Sequence, residues 1–165
     1  ERTKKIGFIL QEPFLFSGSI QDNIVYGSEE YDSISTEKMK ETLQTLGLDE
    51  LLDRFDSGLE TKIKGSGDGL SLGQKQLIAF IRAVLRKPDL LILDEATANI
   101  DTITEQLLEN ILTHLPSTTT RVIIAHRLNT IAAADEIFFI NDGSVIPAGS
   151  MEHAVEMLKD NKRAS

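Results

Sequence analysis

Hydrophobic residues recur along this chain with two different periods. A short apolar run occurs at 5–10 (KIGFIL), and unbroken apolar runs of strand length occur at 90–93 (LLIL) and 122–125 (VIIA). The first, stopped by Gln11, Glu12 and Pro13, suits a buried strand that ends in a loop. The other two lack polar alternation, which predicts strands buried on both faces of a parallel sheet. Elsewhere the period lengthens. Met39, Leu43 and Leu46 recur at helical spacing across 35–46, with Gly47 where a helix C-cap belongs, and a second short helix is expected over 49–55. Leu77, Ile81, Val84 and Leu85 share one face of a helix that ends before Pro88, and Ser71 and Gln74 form a capping box at its start. An amphipathic helix at 102–115 separates the last two runs. A short helical segment near 128–134 leads to EIFFI-NDG-SVI, a hairpin turning at Asp142 and Gly143, and a last helix covers 150–159. The pattern predicts an α/β fold with a mostly parallel sheet.

Composition narrows the class. A chain of 165 residues, 41% hydrophobic and 26% charged, suits one folded unit rather than a disordered segment. The net charge of -9 argues against nucleic acid as a partner, because a phosphate backbone is met by clustered Lys and Arg. No cysteine is present, so disulfides and thiolate metal sites are excluded. The apolar runs fall far short of the ~20 residues that cross a bilayer. The chain does not begin with Met, and is expected to be a piece of something longer.

The candidate chemistry gathers where the strands end. LLILDEATANID, at 90–101, closes an apolar run with Asp94 and Glu95 and adds Asp101 after a polar turn. Side chains alternate along a strand, so the two adjacent carboxylates point in different directions, one toward a metal and one toward a water. That division suits Mg²⁺-assisted phosphoryl transfer; taken alone, the pair equally suits a helix N-cap with surface acids. His126 ends the next apolar run. In an open α/β sheet the ligand crevice lies at the carboxyl ends of the strands, so Gln11, Asp94, Glu95 and His126 are expected on one edge. His114 and His153 sit in helix and tail contexts that call for no chemistry. Ser71 opens LSLGQKQ at 70–76, where a helix start either caps itself or holds an anion.

The order of these motifs resembles one family. Gln11 after a strand, LSLGQ at 70–74, LLILDE at 90–95, ANID at 98–101 and His126 are similar to the Q-loop, signature, Walker B, D-loop and switch histidine of an ABC transporter nucleotide-binding domain. FLFSGSIQDNI at 14–24 is similar to the stretch after the Q-loop in exporters. The resemblance implies an incomplete RecA-like P-loop NTPase core with an α-helical signature subdomain. Residues 1–13 would be its Q-loop strand, 14–88 the helical subdomain, and 89–165 the rest of the core. It implies ATP and Mg²⁺ as cofactors, with Asp94 holding the metal through water and Gln11 reaching it. Glu95 would polarise the attacking water and His126 would contact the γ-phosphate. Ser71, Gly73 and Gln74 would act on ATP held by a second nucleotide-binding domain in a head-to-tail dimer, and Asp101 would couple the two sites. Phe14 and Phe16 would lie near the groove for the coupling helices of a transmembrane domain, or serve as ordinary core aromatics. The implied location is the cytoplasmic face of the cell membrane.

The pattern also breaks. The family's phosphate grip, G-x-x-x-x-G-K-[ST], does not occur in this chain. The first signature glycine is Leu72, and Gly65 stands where exporters usually carry a glutamate. An asymmetric exporter, with this chain in one half of a heterodimer, accounts for both departures, since each signature serves the partner's site. On this reading the chain is the C-terminal portion of an ATPase that drives an exporter, and is silent toward ATP by itself. The competing readings are a non-catalytic module that docks on an ABC-like partner and, less favoured by the acidic charge, a soluble ABC ATPase of DNA maintenance.

Overall fold

The computed structural model describes residues 6–65, 67–94, 102–124, 134–141, 143–149, 152–153 and 155–157. The chain divides into two compact units, Glu1–Ile124 and Ala125–Ser165.

The first unit begins with β1 (Ile6–Ile9), β2 (Gly18–Ser19), α1 (Ile20–Val25) and α2 (Thr36–Thr45). Two 3₁₀ turns follow, Asp49–Arg54 and Gly58–Glu60, and then β3 (Lys62–Ile63) and α3 (Leu72–Leu85). β4 (Leu90–Asp94), α4 (Thr102–Thr113) and β5 (Thr120–Ile124) complete it. The second unit holds β6 (Phe138–Asn141) and β7 (Ser144–Pro147), an antiparallel hairpin around Gly143 as its sequence predicts, with helical residues at 152–153 and 155–157. The short helical segment expected at 128–134 falls almost entirely outside the described residues.

β1, β4 and β5 form a parallel sheet in the order β1-β4-β5. Ile9 pairs with Leu93, and Asp94 with Ile124, so the three carboxyl ends share one edge. One face of this sheet is closed. Ile9, Leu91 and Leu93 join Leu77, Phe80, Ile81, Leu108 and Ile111 in a single core. Each fully buried side chain of this kind contributes about 1.5–3 kcal/mol, and α3 supplies more of them than any other element because it is apolar nearly all round.

The other face departs from the sequence reading. Phe8 of β1 is 61% exposed, Val122 and Ile124 of β5 are 45% and 47% exposed, and Leu90 and Ile92 of β4 are only half-buried, so neither β4 nor β5 is buried on two faces. Alternation places Ile6, Phe8, Leu90, Ile92, Val122 and Ile124 together on this open side. An apolar run reports what a strand is suited to pack against; it does not bring the partner with it.

Around α3 the helical half folds on local signals. Ser35 caps α2, and beyond its end the Leu48 N–H donates to the Leu43 carbonyl at 2.8 Å and the Gly47 N–H to the Gln44 carbonyl at 2.9 Å. This Schellman pair needs a left-handed residue, which Gly47 provides at φ 64°. The segment expected as a short helix at 49–55 is a 3₁₀ turn whose Leu51 and Phe55 enter the core. Within 14–88, expected to be helical, β2 and β3 form a two-stranded antiparallel ladder that brings Gly18 against Ile63. α1 starts with a second capping box: the Ser19 N–H donates to the Asp22 carboxylate at 2.7 Å, and the Asp22 N–H to the Ser19 hydroxyl at 3.0 Å. The Ser19 backbone N–H first, and then the Ser19 side chain, hold the Asp22 carboxyl below its ordinary range, with Lys62 adding to the effect.

Candidate functional site

Asp94 is the last residue of β4, and Gln11 follows the end of the adjacent parallel strand β1. Because the strands run the same way, both residues lie at the carboxyl edge of the sheet, as the motif order predicts. Asp94 shares the parity of Leu90 and Ile92, which sets its carboxylate on the open face, while Gln11 is exposed in the loop beyond β1. A carboxylate and a side-chain amide oxygen are hard donors of the kind Mg²⁺ takes, so the residues present fit that ion. Glu95, Asp101 and His126 lie outside the described residues.

Ser71 is the N-cap of α3, and the expected capping box is present. The Gln74 N–H donates to the Ser71 hydroxyl at 3.2 Å, and the Ser71 N–H to Gln74 Oε1 at 2.9 Å. Gln74 is also held from outside the helix, its Nε2 donating to the Arg54 carbonyl at 2.6 Å. Ser71 is exposed while Gly73 is buried. A Cβ at Gly73 would come within 3.1 Å of Thr104 Cγ2, so glycine here permits the close approach of α3 to α4. Leu72, in the place of the first signature glycine, is half-buried.

The loop after Gln11 is fastened to α3 by groups the motif reading passed over. Asn23, fully buried on α1, accepts from the Phe16 N–H at 3.1 Å and donates through Nδ2 to the carbonyls of Phe16 and Ser19, each at 3.0 Å. Arg82 donates from Nε to the Asn23 carbonyl at 2.7 Å and from Nη1 to the Phe14 carbonyl at 3.1 Å. Its guanidinium also lies 5.8 Å from the centre of the Tyr26 ring. Burial, then the neighbouring charge of Arg86, lowers the Arg82 pKa from its ordinary value. Phe14 is 70% exposed, which removes its alternative reading as a core aromatic; Phe16 is half-buried against Tyr26 at a centroid distance of 5.0 Å. Phe8, Leu10, Phe14, Arg82, Arg86 and Pro88 line a cleft of about 160 Å³ beside this loop.

Gln76 was also missed. It is fully buried on α3 and donates from Nε2 to the carbonyl of Gln11 at 3.1 Å. The sequence did carry a signal for it: a glutamine set among Gly73, Leu77 and Phe80 on the apolar face of a helix requires a partner. His114, at the end of α4, has Nδ1 2.9 Å from the Asn110 carbonyl oxygen, which fits a structural role.

The ABC transporter family model matches residues 1–98. The chain is 44% identical over 152 residues to the uncharacterized ABC transporter ATP-binding protein YfiC of Bacillus subtilis, covering 92% of this chain and 25% of the relative. It is 39% identical over 146 residues to a fatty acid ABC transporter ATP-binding/permease protein of Mycobacterium bovis, covering 88% of this chain and 23% of the relative. The chain thus spans about a quarter of the length of these curated relatives. Among solved structures it matches a bacterial Atm1-family ABC exporter with ATP bound, with a TM-score of 0.74 and 29% identity, over 96% of this chain and 27% of that one. The sheet edge, the capped signature helix and these likenesses agree: the chain belongs to the ABC transporter family, with the fold of an exporter-type ATP-binding domain.

Proposed function

We propose that this chain is the catalytic-edge portion of the ATPase that drives an ABC exporter. The observation that carries the reading is the placement of Gln11 and Asp94 at one edge of adjacent parallel strands, with the signature helix starting at a capped Ser71. Asp94, through water, and Gln11 would hold Mg²⁺, which would supply charge neutralisation at the phosphates. Glu95 orients and polarises the attacking water, and His126 contacts the γ-phosphate. Ser71, Gly73 and Gln74 close over ATP held by a second nucleotide-binding domain in a head-to-tail dimer, and Asp101 couples the two sites. Leu72 makes the pair unequal, in keeping with a heterodimer.

The phosphate grip comes from a segment outside this sequence, which by itself neither binds nor hydrolyses ATP. What supports this is the lack of a G-x-x-x-x-G-K-[ST] motif together with the open apolar face and the outer edge of β5, whose residues are mostly exposed. In the whole domain, residues 1–13 and 89–165 belong to the RecA-like core and 14–88 to the signature subdomain. The cleft beside Phe14 receives a coupling helix of the transmembrane domain. Its apolar walls fit a helix face. Likeness to an ATP-binding/permease protein supports a place at the cytoplasmic face of a membrane; among the described residues no helix is long and apolar enough to cross one.

The test is ATP turnover by the full-length protein. Glu95→Gln and His126→Ala should each lower kcat by about a hundredfold or more, the scale of a lost transition-state contact. Unchanged turnover in both would leave the competing reading, a non-catalytic module related to ABC ATPases.

A further inference from the structure

The signature helix and the Gln11 loop are separated by a long stretch of sequence, yet a fully buried side chain joins them at Gln11 itself. Gln76 Nε2 donates to the Gln11 carbonyl at 3.1 Å across 65 residues, and Gln76 is 0% exposed. Among the described residues its Oε1 is buried without a hydrogen-bond partner. A buried acceptor left unmet costs free energy that an apolar side chain of the same length would not incur. The helix around it is apolar, with Leu77, Ala79 and Phe80 all buried. Methionine would fill the same space without that unmet acceptor, so what glutamine adds at this position is its bond to the Gln11 carbonyl. Further along the same helix, Arg82 holds the Phe14 carbonyl, so the loop is pinned to α3 at both ends.

We propose that Gln76 is a positioning residue: its amide locks the Gln11 loop to the helix that begins at Ser71, holding the metal-reaching and signature ends of the domain in one frame. The proposal rests on the role given to Gln11 above. Gln76 touches neither nucleotide nor metal; it acts through the Gln11 backbone, as outer groups orient metal-binding side chains elsewhere.

The test uses Gln76→Met in the full-length protein, with Gln76→Leu as a second variant should the first fail to fold. Three readouts separate positioning from packing. The melting temperature should stay level or rise, while hydrogen exchange in peptides covering 10–16 speeds up. The Mg²⁺ concentration for half-maximal ATP turnover should rise about tenfold. Gln11→Ala should produce the same rise, and the double variant should show no more than either single change. Unchanged exchange at 10–16 overturns the proposal, as does a lowered melting temperature with faster exchange spread evenly over α3. If Gln76→Met mobilises the loop but Gln11→Ala leaves the Mg²⁺ dependence where it was, the loop clasp stands and the role given to Gln11 falls.

Discussion

Asn23 offers a direct way to weigh the node beneath the Gln11 loop. Replacing it with alanine removes the two Nδ2 bonds to the carbonyls of Ser19 and Phe16, the bond from the Phe16 N–H, and the Arg82 Nη2 contact at 3.3 Å. These losses are unequal. The bond to Ser19 is fully buried, so its orphaned carbonyl incurs about 1–3 kcal/mol, whereas the partly buried Phe16 groups regain some water and lose about 0.5–1.5 kcal/mol each. Arg82 keeps its shorter bond to the Asn23 backbone carbonyl, which alanine retains. The expected total is about 3 kcal/mol, read in urea-unfolding curves as a midpoint lowered by about 1.5 M with the slope unchanged, for a slope near ~2 kcal/mol/M. Asn23→Asp is the informative companion. It gives Arg82 a negative partner but replaces Nδ2, with its two donor hydrogens, by one oxygen that faces both carbonyls. If amide satisfaction dominates, Asn23→Asp is at least as destabilising as alanine at neutral pH. An alanine cost below about 1 kcal/mol, or an aspartate variant as stable as the parent, would refute the reasoning.

Three further predictions follow from the packing and the caps. Gly73→Ala pushes a Cβ to 3.1 Å from Thr104 Cγ2 and should cost about 1–3 kcal/mol in thermal or urea unfolding; adding Thr104→Ser, which deletes that methyl, should recover part of it. Asp22 has a depressed folded-state pKa, so its contribution is full above the unfolded value of about 4 and is lost as pH falls through the folded one. The stability gap between the parent and Asp22→Asn should therefore close on acidification, and a gap that widened below that value would contradict the assignment. The open face of Phe8, Val122 and Ile124 should drive association of the 165-residue chain, read by sedimentation; Val122→Glu should favour the monomer with little loss of stability, and a monomeric parent chain would count against this.

Much of the fold was legible because the chain signals it locally. The capping box at Ser71 and Gln74, Gly47 after α2, and the turn around Gly143 each depend on a few adjacent residues, and each is where the sequence puts it. The β2–β3 ladder was not legible, since strands of two residues show no alternation and depend on pairing across the fold. Burial of β4 and β5 on both faces was expected from their apolar runs and is not observed, because hydrophobicity describes a demand rather than its fulfilment. At the site, the strand-end residues Gln11 and Asp94 followed from topology. Gln76 is marked in the sequence only as a polar residue on an apolar helix face, whereas the importance of Asn23 and Arg82 appears only when three-dimensional contacts bring them to the Gln11 loop.

The central claim is that the carboxylate edge seen here is half of a phosphate site completed by a segment outside this chain. It is tested most directly by thermal unfolding with Mg-ATP, comparing the 165-residue chain with the same chain extended upstream through a phosphate-gripping loop. At a hundred times the dissociation constant, bound ligand should stabilise the extended form by about 2.7 kcal/mol and leave the short chain unmoved. A comparable shift in the short chain would contradict the account, since it would place a complete nucleotide site within these residues.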